Sequence, residues 1–213
     1  MNINSKEFDK KIEALSAIIL ALAIICTGWS AYQSTLWSGV MTFTLSEVNA
    51  DTQKYVMNTI QQSQYSTVDA ITFIEYIKAQ NNKDDKLSDF YFQRFRDDFK
   101  PAVEAWLKTN PFENPDGPPH PFVMSEYKKT FSEDAKKFAD NAALKWGDAL
   151  QANKNSDSYM LLTVIYASVL FIGAILSNFS EIKLRMFLLI LSGVIFVIAT
   201  VGLFSLPLAP SLS

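Results

Sequence analysis

The sequence predicts an all-α membrane protein: three transmembrane helices, with a helical hairpin or bundle outside the membrane between the first and second spans. Three observations carry this. Apolar residues are crowded into three uncharged blocks, each long enough to cross a hydrocarbon core of about 30 Å as a helix of about 20 residues. The stretch between the first two blocks repeats its apolar residues at steps of three and four, which is helical spacing. No segment shows the strict alternation of a half-buried strand.

The mean composition hides this architecture. The 213 residues are 49% hydrophobic and 19% charged, with 19 Lys+Arg against 22 Asp+Glu, and the mean hydropathy is +0.08. Intrinsic disorder is excluded, since it needs low hydrophobicity and high net charge. The net charge of −3 gives no footprint for nucleic acid, which calls for a clustered excess of Lys and Arg. One cysteine makes no internal disulfide and supplies no multi-thiolate zinc site.

Residues 1–13 are read as a cytoplasmic N-terminus and residues 14–33 as the first span, because Glu13 and Glu47 bracket a run with no charge. Lys6, Lys10 and Lys11 also resemble the basic region of a cleaved signal peptide. Cleavage is opposed by bulky Ile25 before Cys26 and by small residues such as Ala21 and Ala23 lying inside the apolar run. Residues 158–179 form the second span, 180–185 a cytoplasmic loop, 186–207 the third span and 208–213 a tail. Three Lys precede span 1, Lys183 and Arg185 sit in the loop, and no basic residue follows span 3. The positive-inside rule therefore puts residues 34–157 on the extracytoplasmic face.

Those 124 residues carry 18 acidic and 14 basic side chains. From Ser34 to Gln80 there is no Pro and only Gly39, so span 1 is expected to continue as helix. From Ile12 it would run on the order of 100 Å, with roughly 70 Å beyond the bilayer. Asn81–Asp85 reads as a polar break. Leu87–Lys108 returns to helical spacing through Phe92, Phe95, Phe99, Val103 and Trp106, with Pro101 kinking or restarting it. Five of the eight prolines fall in residues 110–122, a non-helical loop. From Ser125, a candidate N-cap, a stripe of Tyr127, Phe131, Ala135, Phe138, Ala142, Trp146 and Ala149 leads into span 2; it is expected to pack as core rather than to hold a cofactor.

Candidates for chemistry are few. His120 is the sole histidine, so no Ser-His-Asp or Cys-His set can form within one chain. With Glu113 and Asp116 it matches no defined metal spacing, and no metal or cofactor is expected. Cys26 lies inside span 1 as a small apolar residue. The apolar cores of the spans hold no ionisable residue of the kind that holds charge in pumps. The unusual element is Gly28–Gly39, where Trp29, Tyr32 and Trp37 suit an aromatic belt. Ser30, Gln33 and Ser34 could instead bond between subunits or, with the rest of Ser30–Thr35, line a polar vestibule. Ala17/Ala21 and Gly173/Ser177 are spaced for close helix approach.

Several segments together resemble an uncharacterised family of prokaryotic three-span membrane proteins. These are Trp29-Ser-x-Tyr-Gln33, Trp37-Ser-Gly39, Phe90-Tyr91 with Arg94-Phe-Arg96, Phe99-x-Pro-Ala102, Ala105-Trp106, Asn114-Pro115, Pro118-Pro119, Pro121-Phe122 and Met124-x-Glu-Tyr127. Lys100 and Ser125 depart from the pattern, which favours Arg and Pro there. The resemblance implies the same three-span architecture in a prokaryotic cytoplasmic (inner) membrane and carries no assigned activity.

The expected function is a non-enzymatic membrane scaffold or assembly protein that self-associates. A lone projecting helix buries too little apolar surface to fix itself, and Met41, Leu45, Val48, Tyr55 and Val56 are the residues expected to meet neighbouring copies. Its partners would be the lipid bilayer, other copies and an unidentified membrane or periplasmic protein, with no nucleic acid. The alternatives are an oligomeric channel with its vestibule at Ser30–Thr35, an accessory subunit of a larger membrane complex and, more weakly, a membrane hydrolase.

Overall fold

The computed structural model describes residues 3–210, and these contain no strand. Five α-helices follow in chain order: α1 Ile3–Asn81, α2 Asp85–Phe92, α3 Lys100–Leu107, α4 Thr130–Ile175 and α5 Ile182–Ser205, with 3₁₀ turns at Pro121–Val123 and Leu176–Asn178. Three of them, α1, α4 and α5, are long and apolar enough to cross a membrane. Residues 1–2 and 211–213 and the side chains of residues 3–6, Phe8 and Ser177 lie outside the described residues, and with them Lys6, the ends of the expected N-terminus and tail and the Gly173/Ser177 pair.

The 79 residues of α1 are one helix, as the absence of proline leads one to expect. Its many threonines do not oppose it, because they donate back to the carbonyl four residues earlier, as Thr52 does to Val48 at 2.8 Å and Thr72 to Val68 at 2.8 Å. The helix stops where Lys83 takes a left-handed φ of 57°. Asp84 N–H then closes onto Ala79 O at 3.0 Å, a C-terminal cap that satisfies a carbonyl the helix leaves open. The Asp84 carboxylate at once accepts the Leu87 N–H at 3.0 Å and caps α2.

The chain divides into two compact units, one comprising Met1–Glu47 with Leu144–Ser213 and the other Val48–Ala143. In the first, α1, α4 and α5 bury Ala23, Tyr159, Leu162, Tyr166, Val169 and Ala199 together. A Cβ at Gly173 would lie 2.5 Å from Leu20 Cδ2, so this small residue is used for close packing within the chain. Arg185 ties the start of α5 to α1, donating to Asp9 Oδ1 at 3.1 Å and to Glu13 Oε1 at 3.3 Å.

The second unit gathers Phe73 and Tyr76 of α1 with Phe95, Phe99, Ala102, Val103, Trp106 and Tyr127. Eight ring pairs are edge-to-face among this core and the partly buried Phe92 and Phe122 packed against it, with Phe73–Trp106 at 5.2 Å and Phe95–Phe99 at 5.4 Å, while Phe99 stacks on Phe122 at 4.8 Å. The aromatic residues between Phe92 and Trp106 therefore are core.

Several local expectations need correction. Leu87–Lys108 is broken over residues 93–99, and of the two expectations for Pro101, a kink or a restart, the chain takes the restart: Pro101 sits in the first turn of α3, where its missing N–H has no intrahelical partner to lose. Ser125 caps nothing, since α4 begins at Thr130. Tyr127 is buried but lies before the helix, and Trp146, placed in the packed stripe by its spacing, is 51% exposed. The connection between the last two helices lies earlier than 180–185: α4 ends at Ile175, a 3₁₀ turn covers Leu176–Asn178 and α5 starts at Ile182. Charged Lys183 and Arg185 are helical because Arg185 finds its carboxylates from there. α5 stops before Pro207, with Leu206 extended (φ −86°, ψ 142°) as a residue preceding proline prefers.

Candidate functional site

Within the first unit, the segment singled out by its composition becomes a polar node on α1. Gln33 is 4% exposed and its Oε1 accepts the Ala209 N–H at 3.0 Å. One turn on, Trp37 Nε1 donates to Pro207 O at 3.0 Å, and the Tyr159 hydroxyl of α4 donates to the same oxygen at 3.2 Å. Three side chains thus take up the backbone that follows α5, where proline and the helix end leave groups with no intrahelical partner. Ser34 and Ser156 close the other side. Ser34 Oγ donates to Ser156 O at 3.1 Å and Ser156 Oγ donates back to Ser34 O at 3.0 Å.

Ser30 is fully buried beside this node, and its hydroxyl has no hydrogen-bond partner among the described residues. Trp29 and Tyr32 point the other way, 44% and 55% exposed, with ring centroids 5.9 Å apart. A groove of about 290 Å³ runs past Ser34, Thr35, Ser38, Thr42 and Ser156. Its threonine hydroxyls are turned inward onto carbonyls, Thr35 to Ala31 at 3.0 Å and Thr42 to Ser38 at 2.9 Å.

A second constellation, in the other unit, is not apparent from sequence spacing. Asp69 of α1 is 1% exposed and receives a bidentate pair from Arg96, Nε to Oδ1 at 2.9 Å and Nη2 to Oδ2 at 2.8 Å. The Tyr127 hydroxyl donates to Asp69 Oδ2 at 3.1 Å and lies 3.1 Å from the Ser66 hydroxyl. Arg96 also lies over the Tyr65 ring at 4.4 Å and 3.7 Å from Asp98. Its hydrogen bonds to Asp69 raise the guanidinium pKa above its ordinary value. Burial, with the Asp69 carboxylate nearby, raises the Tyr127 phenol, so it stays a donor. The three residues join parts of the chain 27 and 58 positions apart; the one hint in the sequence is an aspartate in a stretch of α1 otherwise free of charge.

Among the described residues no three His, Cys, Asp or Glu side chains converge as a metal site would need. His120 packs its ring 5.7 Å from Phe122, and Cys26 is half-buried at the edge of the first unit's core. Of the residues expected to meet other copies, Met41, Leu45 and Val48 are half-buried by their own chain, whereas Tyr55 and Val56 are 40% and 44% exposed. No family model, no curated protein and no solved structure matches the chain.

Proposed function

We propose that the protein is a non-enzymatic integral membrane scaffold that self-associates, anchored in a prokaryotic cytoplasmic membrane with residues 34–157 outside as a helical hairpin or bundle. The observation that carries this reading is the apolar surface that α1 leaves uncovered beyond its span. Met57, Ile60, Ile71 and Ile74 are each more than half exposed, and a helix in water gains most of its stability by packing such a face. The residues behind the family resemblance support the reading. Gln33, Trp37, Arg96, Phe99, Trp106 and Tyr127 hold backbone, core or a buried carboxylate in place, which suits a shared architecture rather than a shared reaction.

Light scattering of the purified protein, corrected for detergent, is expected to give particles of two or more chains. Particles holding one chain of about 24 kDa across a range of concentrations would overturn the self-associating scaffold. Topology is checked with single cysteines at Asn82 and Lys183 in a Cys26→Ala background. On cells whose outer barrier has been opened, an impermeant thiol reagent is expected to label position 82 and spare position 183; the reverse pattern means the opposite orientation.

The hydroxyl-lined groove beside Ser34 favours one other reading, an oligomeric channel. It has less behind it, because Gln33 and Ser34 are occupied within a single chain. Solute flux through liposomes holding the protein, abolished by Gln33→Leu, would make the channel the better description.

A further inference from the structure

The outward face of α1 in the second unit has a regular seam. Gln53, Met57, Ile60, Gln64, Thr67, Ile71 and Ile74 are spaced 4, 3, 4, 3, 4 and 3 residues apart, and all seven are exposed. This is the repeat with which one helix presents a continuous edge to another in a coiled coil. On the same helix Asp69, Phe73 and Tyr76 point away from it into their own chain, buried. The seam is thus a second face, separate from the one that builds the core. Val56 and Val68, on its flanks, are 44% and 52% exposed and widen it.

We infer that this seam is the site where a second copy of the same chain docks, α1 against α1, parallel and in register. The inference rests on the self-associating reading above and names the surface that would serve it. Three features favour an identical partner. First, none of the seven seam residues is charged; of the two charges between Gln53 and Ile74, Asp69 is buried and paired and Lys54 lies 3.9 Å from Asp51 and over the Phe138 ring of its own chain. Two identical helices brought together along a two-fold axis set each residue of the seam beside its own copy, so a charged seam would repel itself; this one has nothing to repel. Secondly, Gln64 sits in the middle. An amide carries both donors and an acceptor, so two copies of Gln64 satisfy one another, whereas an apolar residue opposite would leave buried groups unpaired. A single polar layer of this kind also fixes register. Thirdly, α1 is continuous from its apolar span to Asn81. Copies inserted in one membrane with one orientation therefore present the seam in the same direction, with each layer the same number of residues from the span.

Disulfide trapping of the full-length protein in its own membranes tests this. Single cysteines replace Ile60, Gln64, Thr67 or Ile71 in a Cys26→Ala background, with Thr52→Cys and Thr59→Cys as controls on exposed, off-seam positions of the same helix. Mild oxidation is expected to link same-residue pairs at the four seam positions and not at the two controls. Ile60→Glu with Ile71→Glu is expected to lower the linked fraction at position 64 by about tenfold or more, by setting like charges side by side, while Gln64→Asn keeps it. Equal linking at all six positions would mean random collision and would overturn the seam. No seam linking in a protein that light scattering still finds multimeric would overturn the seam and leave self-association standing. No linking in a monomeric protein would overturn both.

Discussion

Arg96→Leu is expected to destabilise the Val48–Ala143 unit by about 3–5 kcal/mol, the range for breaking a buried ion pair by removing one partner. The asymmetry between the partners makes this a sharp test. The Asp69 side chain is 1% exposed and that of Arg96 22%. Removing the arginine leaves a carboxylate with no route to water and one remaining donor, Tyr127. Removing the charge from the other side, as Asp69→Asn, leaves a guanidinium that can still reach solvent, Asp98 and the Tyr65 ring, so its cost should be the smaller of the two. The double variant should recover part of the loss, because no unpaired charge remains buried. Chemical denaturation of the full-length protein in detergent, followed by circular dichroism, reads all three. Equal effects of the two single variants would mean that the pair is solvated in the folded state and that desolvation is not what sets its contribution.

Phe99→Ala is expected to cost a similar amount, about 3–5 kcal/mol, the usual penalty for emptying a large, fully buried aromatic site. Its ring is completely buried and lies within 6.2 Å of Phe73, Phe95, Phe122 and Tyr127, centroid to centroid. These come from α1, the turn before α3, the proline loop and the segment before α4, so no single element can shift to close the gap. Phe112→Ala is the internal comparison. That ring is 60% exposed and touches Trp106 alone among the aromatics, at 6.0 Å, so its loss should change stability by less than about 1 kcal/mol. If the two variants melt alike, the core is not organised around Phe99.

What was legible in the sequence is what a single helix decides by itself. Uncharged runs mark the three membrane-competent helices, the lack of proline carries α1 to Asn81, and clustered proline marks the loop before α4. The errors lie where distant residues decide. Phe92, Phe95 and Phe99 keep helical spacing, yet the backbone from 93 to 99 leaves the helix and brings Arg96 onto Asp69, 27 positions earlier. Pro101 then restarts the helix, the one part of this stretch that the sequence did offer. Similarly, Tyr127 sits four residues before Phe131 and reads as the first residue of a stripe. It is instead held by Asp69 and the aromatic core, which delays α4 to Thr130. At the polar node, Gln33 reads as a lone amide near an aromatic belt; its partner is Ala209, 176 residues away. Nothing in local periodicity encodes such a pairing.

The division of the chain into units also sets an order of events during synthesis. One unit is a single uninterrupted stretch, Val48–Ala143, whereas the other needs Met1–Glu47 to find Leu144–Ser213. All the residues of Val48–Ala143 therefore leave the ribosome before the rest of α4 and α5 can complete the other unit around Tyr159 and Tyr166. Domains generally form as units as the chain is made, so the middle stretch has time to settle while the Gln33 amide still waits for Ala209. Joining α1 to the later helices has to bridge those 96 residues, and the entropy of doing so depends on whether they are a flexible chain or already ordered. Damage to the Phe99 core should accordingly appear twice, as a weaker middle unit and as slower maturation of the unit built around Tyr159 and Tyr166.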